Sequence, residues 1–279
     1  MKTVVVTGAS TGIGRAAAQV LLDKGFRVFG SVRSDADAAR LKQELGAHFT
    51  PLLFDITDPA AVASAADQVR TALAGKTLYG LVNNAGIAVP GPLLLLKIEE
   101  FRRQLDINLT GQLIVIQAFA PLLDGKHPGR IVMISSIAGK NANPFVGPYS
   151  ASKFGLEGFS ESLRRELMVY GIDVIVIAPG AIATPIWDKA EQLDLGHYAH
   201  TVYAPALHKT KTMMIDLGRK GLPAEKIGTA IWRALTVPHP KTRYTITPDP
   251  LLNFAMNVLP KRWSDKLIAK MLGLSRRTR

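Results

Sequence analysis

A glycine-rich turn between a short apolar run and a helical pattern constrains the fold of this chain more than any other stretch. The β-branched run of residues 2–7 leads into Gly8-Ala9-Ser10-Thr11-Gly12-Ile13-Gly14, and apolar residues at helical spacing follow. Because the glycines lack Cβ atoms, the backbone can approach a diphosphate at the positive end of the helix. The stretch therefore predicts the strand, turn and helix of a dinucleotide site, with an ordinary glycine turn as the alternative.

Strand and helix patterns alternate after this turn. We expect strands at residues 27–33, 49–54, 78–82, 129–134, 172–177 and 242–246. We expect helices at residues 58–73, 101–123, 149–170 and 223–235. This alternation predicts a single α/β domain over residues 1–279, with a doubly wound, Rossmann-type parallel sheet.

The residues that follow the strands predict where the dinucleotide lies and which one it is. The second strand ends in Val32-Arg33 without a carboxylate, which favours NADP(H) over NAD because a guanidinium suits a 2′-phosphate. Arg33 as a solvated strand end is the alternative. Ligands of such sheets lie outside the carboxyl ends of the strands. The residues expected there are Asp55, with Ile56 beside it, at the adenine end, and Asn83, Ala85 and Gly86; a structural turn is the alternative for the pair Asn83-Asn84.

The stretch Tyr149-Ser150-Ala151-Ser152-Lys153 predicts a proton donor. Side chains four apart share one face of a helix, so the Lys153 ammonium is expected near the Tyr149 hydroxyl. Bringing a phenol from pH ~10 to about 7 takes roughly 4 kcal/mol, more than one exposed ion contact supplies. The pair therefore predicts that a cationic cofactor and a dry pocket contribute.

Taken together, these motifs resemble the short-chain dehydrogenase/reductase family over about residues 3–184. The resemblance is carried by Thr7-Gly8-x-x-x-Gly12-x-Gly14, Asn83-Asn84-Ala85-Gly86, Asn108, Ser136, Tyr149-x-x-x-Lys153 and Pro179-Gly180. It implies that Asn108, Ser136, Tyr149 and Lys153 are catalytic. Pro179, Gly180, Ile182 and Thr184 are then expected to border the nicotinamide.

The family pattern assigns a role to each reacting group. Ser136, 13 residues before Tyr149, would position the substrate oxygen, and Ser135 would be structural. Asn108 would hold a water that links Lys153 to solvent, with a plain buried asparagine as the alternative. Tyr149 would exchange a proton with the substrate oxygen while a hydride moves between nicotinamide and carbon.

Two segments predict a lipophilic substrate. Residues 186–222 interrupt the sheet pattern with Trp187, Tyr198 and other apolar residues, which indicates a lid over the substrate. The segments Ala234-Leu235-Thr236 and Pro240-Lys241-Thr242-Arg243-Tyr244 resemble the retinol and hydroxysteroid dehydrogenase branch. The expected activity is NADP(H)-dependent oxidation or reduction of a retinoid, steroid or related lipid. A non-catalytic NADP(H)-sensing protein and a peripheral membrane protein are the alternatives.

The charge of the chain bears on its partners. Of the net charge of +12, residues 185–279 carry 16 basic and 7 acidic side chains. In residues 250–279, an apolar stripe from Trp263 to Leu274 lies beside Arg262, Lys266 and Lys270, a pattern that suits either an anionic membrane surface or a pocket-closing or homo-oligomer contact. No recognisable nucleic-acid-binding module accompanies this charge.

Other features limit the compartment and the chemistry. The chain has no cysteine, which excludes disulfides and fits a reducing compartment. His197, His200 and His208 lack the carboxylate or cysteine partners of a metal site, so no metal is expected. We see no signal segment or spanning apolar run and expect a cytoplasmic protein.

Overall fold

The computed structural model describes residues 1–125 and 128–274, and within them one parallel sheet of seven strands forms the centre. The strands of this sheet are β1 (Thr3–Val6), β2 (Arg27–Val32), β3 (Phe49–Leu53), β4 (Gly80–Asn83), β5 (Arg130–Ile134), β6 (Asp173–Pro179) and β9 (Arg243–Ile246). A separate short pair consists of β7 (Ile182–Ala183) and β8 (Leu222–Pro223). The order across the sheet is β3-β2-β1-β4-β5-β6-β9, and β7 pairs with β8. Because β1 pairs with both β2 and β4, the strand order reverses there, and a ligand crevice is expected at this point.

Helices cover both faces of this sheet. They are α1 (Gly12–Asp23), α2 (Asp35–Leu45), α3 (Pro59–Leu73), α4 (Ile98–Leu105), α5 (Gly111–Phe119), α6 (Gly147–Glu166), α7 (Ile186–Glu191), α8 (Ala204–Arg219), α9 (Ala224–Thr236), α10 (Pro250–Val258) and α11 (Lys261–Leu272). The core on one face includes α1, α2 and α9, and the core on the other includes α3, α5 and α6. The inner strands β1, β2, β4, β5 and β6 are buried on both sides, which explains their apolar runs, whereas the edge strands β3 and β9 are only partly buried.

The doubly wound sheet predicted from the sequence is confirmed, with strand boundaries displaced by at most two residues. The helix α2 is not predicted from the sequence, because only Leu41 and Leu45 of its eleven residues are buried and its apolar pattern is therefore weak. Local signals nevertheless support it, since the Ser34 side chain caps its first turn. The last five residues of the predicted C-terminal extension lie outside the described part of the chain.

The helical stretch Ile98–Leu122 is long and apolar enough to cross a membrane by length and composition, and 39% of its most apolar window is buried. This differs from the expectation that no segment is suited to span. The stretch joins α4 and α5 through a π-helical turn, and it buries Gln104, Asn108 and Gln112. All three hydrogen-bond to residues that follow β4. We therefore interpret the stretch as a core helix of the fold.

Candidate active site

The glycine turn leaves no room for side chains. Gly8 and Gly12 have φ angles of +66° and +56°, which glycine adopts most readily. A Cβ atom at Gly14 would lie 2.1 Å from the carbonyl oxygen of Gly8. Thr11 precedes α1 without making a side-chain capping bond. The first amides of α1 are therefore available to an anion such as the diphosphate of a dinucleotide.

Hydrogen bonds from three strands hold this turn. The Thr7 hydroxyl accepts from the amides of Asn84 (2.9 Å) and Ala85 (3.0 Å). The Asn84 side chain donates to the carbonyl oxygen of Thr7 at 2.8 Å. On the other side, the Gly8 amide donates to the Ser31 hydroxyl at 2.8 Å. Thr7 and Asn84 are recognisable in the sequence only as motif residues, and these contacts show that they hold the turn.

The Asn83 side chain points into the core, toward α5. It is 1% exposed and donates to the Gln112 carbonyl oxygen at 3.2 Å, which ties β4 to α5. Only the Asn83 backbone therefore remains to border a dinucleotide as predicted. Gly86 is exposed, and a Cβ atom there would lie 3.1 Å from Asn108 Oδ1.

The residues expected at the adenine end lie at neighbouring strand ends. The Arg33 side chain is 70% exposed, and its Nη1 lies 3.8 Å from Asp55 Oδ2. Burial by itself raises the pKa of Asp55, but two hydrogen bonds from Thr57 and the charge of Arg33 outweigh it and lower that pKa. The Ile56 side chain is buried in the core. Only the Ile56 backbone therefore remains to make the predicted contact with the adenine.

Two further guanidinium groups near the turn already have partners. Arg15, for which the sequence leaves a contribution to the phosphate site and a solvent-facing side chain as alternatives, pairs with Glu44 at 3.1 Å. Arg40 donates to the Ser10 carbonyl oxygen at 3.1 Å and pairs with Asp37 at 2.6 Å. Nothing in the sequence pattern singles out Arg40, because its contact with the turn depends on how α2 packs.

The turn after β6 lies over the glycine turn. A Cβ atom at Gly12 would lie 3.5 Å from Thr184 Cβ and Cγ2. Ile182 is buried in β7, and its carbonyl oxygen accepts a hydrogen bond from Trp187 Nε1 at 2.7 Å. The predicted diphosphate and nicotinamide residues are thus neighbours, which is the arrangement that a single dinucleotide requires.

The predicted reacting groups meet beside the carboxyl end of β5. Ser136 follows this strand, accepts a hydrogen bond from the Ala138 amide at 3.1 Å and lies close enough to the Tyr149 phenol on α6 to affect its pKa. Lys153 lies one turn further along α6, 6% exposed, and donates to the Ile134 carbonyl oxygen at 2.8 Å. Its Nζ lies 5.7 Å from the centroid of the Tyr149 ring. The helix α6 places Tyr149 and Lys153 near each other as expected, but the Lys153 ammonium donates its hydrogen bond to the backbone of β5.

The pKa shifts of this pair differ from the expectation. Burial raises the pKa of Tyr149, and the nearby Ser136 hydroxyl offsets this only in part. Burial also lowers the pKa of Lys153 to about 8, against the opposing charge of Glu157. The expectation that a dry pocket helps to lower the Tyr149 pKa is therefore wrong, because burial disfavours the charged phenolate, and the contribution of a bound cofactor stays a prediction. At neutral pH the phenol keeps its proton.

Asn108 lies in a π-helical turn, Asp106–Thr110, and is 1% exposed. Its Oδ1 accepts from the Ile87 amide at 2.9 Å, and its Nδ2 donates to the Ile87 carbonyl oxygen and to the Ser152 hydroxyl, both at 3.0 Å. The Ser152 hydroxyl in turn donates to the Tyr149 carbonyl oxygen at 2.7 Å. Asn108 thus ties α6 to the loop after β4, and its water-holding role remains a prediction.

The predicted lid packs against the loop that leads into α6. Leu195, Tyr198 and Leu207 of residues 186–222 form a small apolar core with Phe145 and with Leu272 of α11. Phe145 has a φ angle of +64°, which costs free energy for a non-glycine residue. Its buried ring compensates for this strain and links the lid to the loop before Tyr149.

Comparisons with known proteins agree with this geometry. A family model described as short chain dehydrogenase matches residues 2–194. The chain is 38% identical, over 98% of both chains, to an NADPH-dependent 3-dehydrocapnine reductase from Ornithobacterium rhinotracheale. It is 34% identical to retinol dehydrogenase 5 from Mus musculus, over 96% of this chain and 88% of the relative.

A solved structure shares the fold. It is a short chain dehydrogenase/reductase from Burkholderia phymatum in complex with NAD, with a TM-score of 0.78 and 24% identity. The alignment covers 95% of this chain and 94% of the other. At this identity the likeness speaks for the fold alone.

Proposed function

Because the chain belongs to the short-chain dehydrogenase family, we propose that it is an NADPH-dependent reductase that transfers a hydride to the carbonyl carbon of a lipophilic ketone or aldehyde. The observation that carries this proposal is the meeting of Ser136, Tyr149 and Lys153 beside the carboxyl end of β5. The glycine turn supports it, since its backbone forms the cradle that a diphosphate needs.

A bound NADPH supplies the hydride, and the side chains of this protein supply orientation and a proton. The Ser136 hydroxyl donates a hydrogen bond to the substrate oxygen and sets it against the Tyr149 phenol. Tyr149 then protonates that oxygen, and its raised pKa keeps the required proton in place at neutral pH. Lys153, with a pKa of about 8, is mostly charged and stabilises the phenolate that remains. In the reverse direction Tyr149 acts as the base.

The preference for NADPH rests on Arg33. Its exposed guanidinium stands at the end of β2, and the similar reductase is named as NADPH-dependent. Reversing this charge in Arg33→Asp should weaken NADPH by roughly tenfold to a hundredfold and leave NADH nearly unchanged. The matched control is Arg70→Asp, which reverses another exposed arginine on α3. Equal losses for both dinucleotides would show that Arg33 does not contact the 2′-phosphate.

The lipophilic substrate class rests on the lid and on the relatives. The lid core around Tyr198 and Leu207 is apolar and packs against Phe145, four residues before Tyr149 in the chain. The names of the two relatives, a 3-dehydrocapnine reductase and a retinol dehydrogenase, suit alcohol and carbonyl chemistry on such substrates. Retinal, ketosteroids and long-chain 3-oxo lipids are the substrates to test first.

The test is NADPH oxidation followed by absorbance over these three classes, with a small water-soluble ketone as comparison. We expect turnover of at least one lipophilic class. Tyr149→Phe should abolish that turnover while NADPH affinity stays within about twofold, because only the proton donor is lost. Tyr170→Phe, which changes an exposed tyrosine after α6, is the matched control and should behave as the parent. Comparable turnover in Tyr149→Phe would refute the assignment, and NADPH binding without turnover of any substrate would favour a sensing protein.

A further inference from the structure

The last two helices carry large apolar side chains on faces turned to solvent. On α10, Leu251 and Phe254 are 82% and 66% exposed, and on α11 Trp263 is 70% exposed. We call the following residues the tail surface: Leu251, Leu252, Phe254, Val258, Trp263, Leu267 and Met271. A soluble protein rarely leaves so many large apolar residues exposed on adjacent helices.

Both helices also contact the rest of the described protein, although no residue of α10 is fully buried. Asn257 of α10 accepts a hydrogen bond from the Asn141 side chain at 2.8 Å. On α11, Ser264 and Leu272 are buried, and Leu272 joins the lid core beside Phe145. Within α10 the half-buried residues are Asn253, Ala255 and Met256, whereas its largest apolar side chains, Leu251 and Phe254, are exposed.

The charge beside the tail surface has one sign. Arg262, Lys266 and Lys270, spaced four apart, form a row on α11 next to the row of Trp263, Leu267 and Met271. Within residues 1–125 and 128–274, no ion pair engages these three basic side chains. Residues 250–279 hold seven basic side chains and one acidic side chain.

The tail surface adjoins α6 through α10, because Phe254 and Val258 line a pocket of about 640 Å³ together with Phe154 of α6. A groove of about 460 Å³ lies between α11 and two loops, and its lining includes Leu93, Leu94 and Phe145. Leu94 is 83% exposed, and Leu93 packs beside Gly147, the first residue of α6. On α11 the groove is lined by Asp265, Ile268 and Ala269, so it lies on a different side of that helix from Trp263, Leu267 and Met271.

We propose that the tail surface docks the protein on the surface of an anionic phospholipid bilayer. Apolar side chains with a tryptophan, flanked by a basic row, match the acyl boundary and the anionic headgroups of such a surface. A second copy of this chain fits less well, because a two-fold contact through the tail surface brings the same basic rows together. The proposal does not depend on the proposed reaction, since docking needs neither cofactor nor substrate.

The test is sedimentation of the full-length protein with vesicles. We expect affinity for phosphatidylcholine vesicles with about 30% phosphatidylglycerol to exceed that for pure phosphatidylcholine by roughly tenfold or more and to fall as salt rises. Lys266→Glu combined with Lys270→Glu should lower it by roughly tenfold or more. Trp263→Ser combined with Leu267→Ser should have a similar effect, because it removes the apolar contact.

Two matched variants control for net charge and for surface apolarity. Lys42→Glu with Lys76→Glu changes the same charge elsewhere, and Met168→Ser with Val169→Ser removes exposed apolar side chains after α6. Both should bind vesicles as the parent does, and an unchanged melting temperature verifies the fold of all four variants. Equal binding to neutral and anionic vesicles, or equal losses in the controls, would overturn the proposal. If the parent does not bind vesicles but forms a dimer, and Trp263→Ser combined with Leu267→Ser dissociates that dimer, the tail surface is instead a contact with a second copy of this chain.

Discussion

Removing the buried ammonium of Lys153 should stabilise the protein at neutral pH, and the gain should shrink as the pH rises. The folded protein holds this amine 6% exposed against the Ile134 carbonyl oxygen. Burial lowers its pKa from 10.5 to about 8, whereas an unfolded chain leaves the amine in water. Lys153→Met keeps the length of the side chain and removes the charge.

The magnitude follows from the difference between the two pKa values. About 2.5 units at 1.36 kcal/mol each amount to about 3.4 kcal/mol that opposes folding while the amine is charged in both states. This penalty is fully present below pH 8. Above pH 8 the folded state releases the proton first, so the penalty falls, and it is gone above about pH 10.5. Between about pH 7 and pH 9.5 the penalty decreases by about 2 kcal/mol.

The assay is urea unfolding of the parent and of Lys153→Met at these two pH values, without cofactor. The unpaired Ile134 carbonyl oxygen in the variant lowers its stability by a constant amount, and other titrating groups cancel in the comparison. The stability of the parent relative to the variant should therefore rise by about 2 kcal/mol with pH, or about 3 °C in melting temperature for a chain of this size. A difference that stays constant with pH would refute the argument that burial sets the charge of this lysine.

Three further predictions test the turn and the charges around α6. Gly14→Ala should lower the free energy of unfolding by about 1–3 kcal/mol and remove most of the NADPH affinity, because the added methyl group meets a carbonyl oxygen of the turn. The control is Gly158→Ala, at a helix position with open space. Both variants are measured by unfolding and by dinucleotide titration. Thr7→Val should cost about 2–4 kcal/mol in urea unfolding, because it leaves two amides after β4 without their acceptor, and an effect below about 0.5 kcal/mol would contradict this account. Glu157→Gln should lower the pKa of Lys153 further, so the alkaline limb of kcat/KM should move to lower pH, whereas an unmoved limb would show that Glu157 does not act on Lys153.

Local patterns carry most of what could be predicted about the fold. The apolar runs of the strands and the spacing of Gly8, Gly12 and Gly14 depend on neighbouring residues, and they survive in the structure with small shifts. The helix α2 was not predicted because it buries little and its charged residues resemble a solvated loop. The motif order also anticipated which residues meet, since Ser136, Tyr149 and Lys153 do lie together.

The sequence by itself determined the alternation of strands and helices and the chemical groups at the site, because both depend on short-range spacing. Only the tertiary structure decided the inward direction of Asn83, the partners of Arg15 and the outward apolar face of α11. It also decided that burial raises rather than lowers the pKa of Tyr149. The physical reason is that desolvation and partner choice depend on atoms brought together from distant parts of the chain, which no local pattern contains.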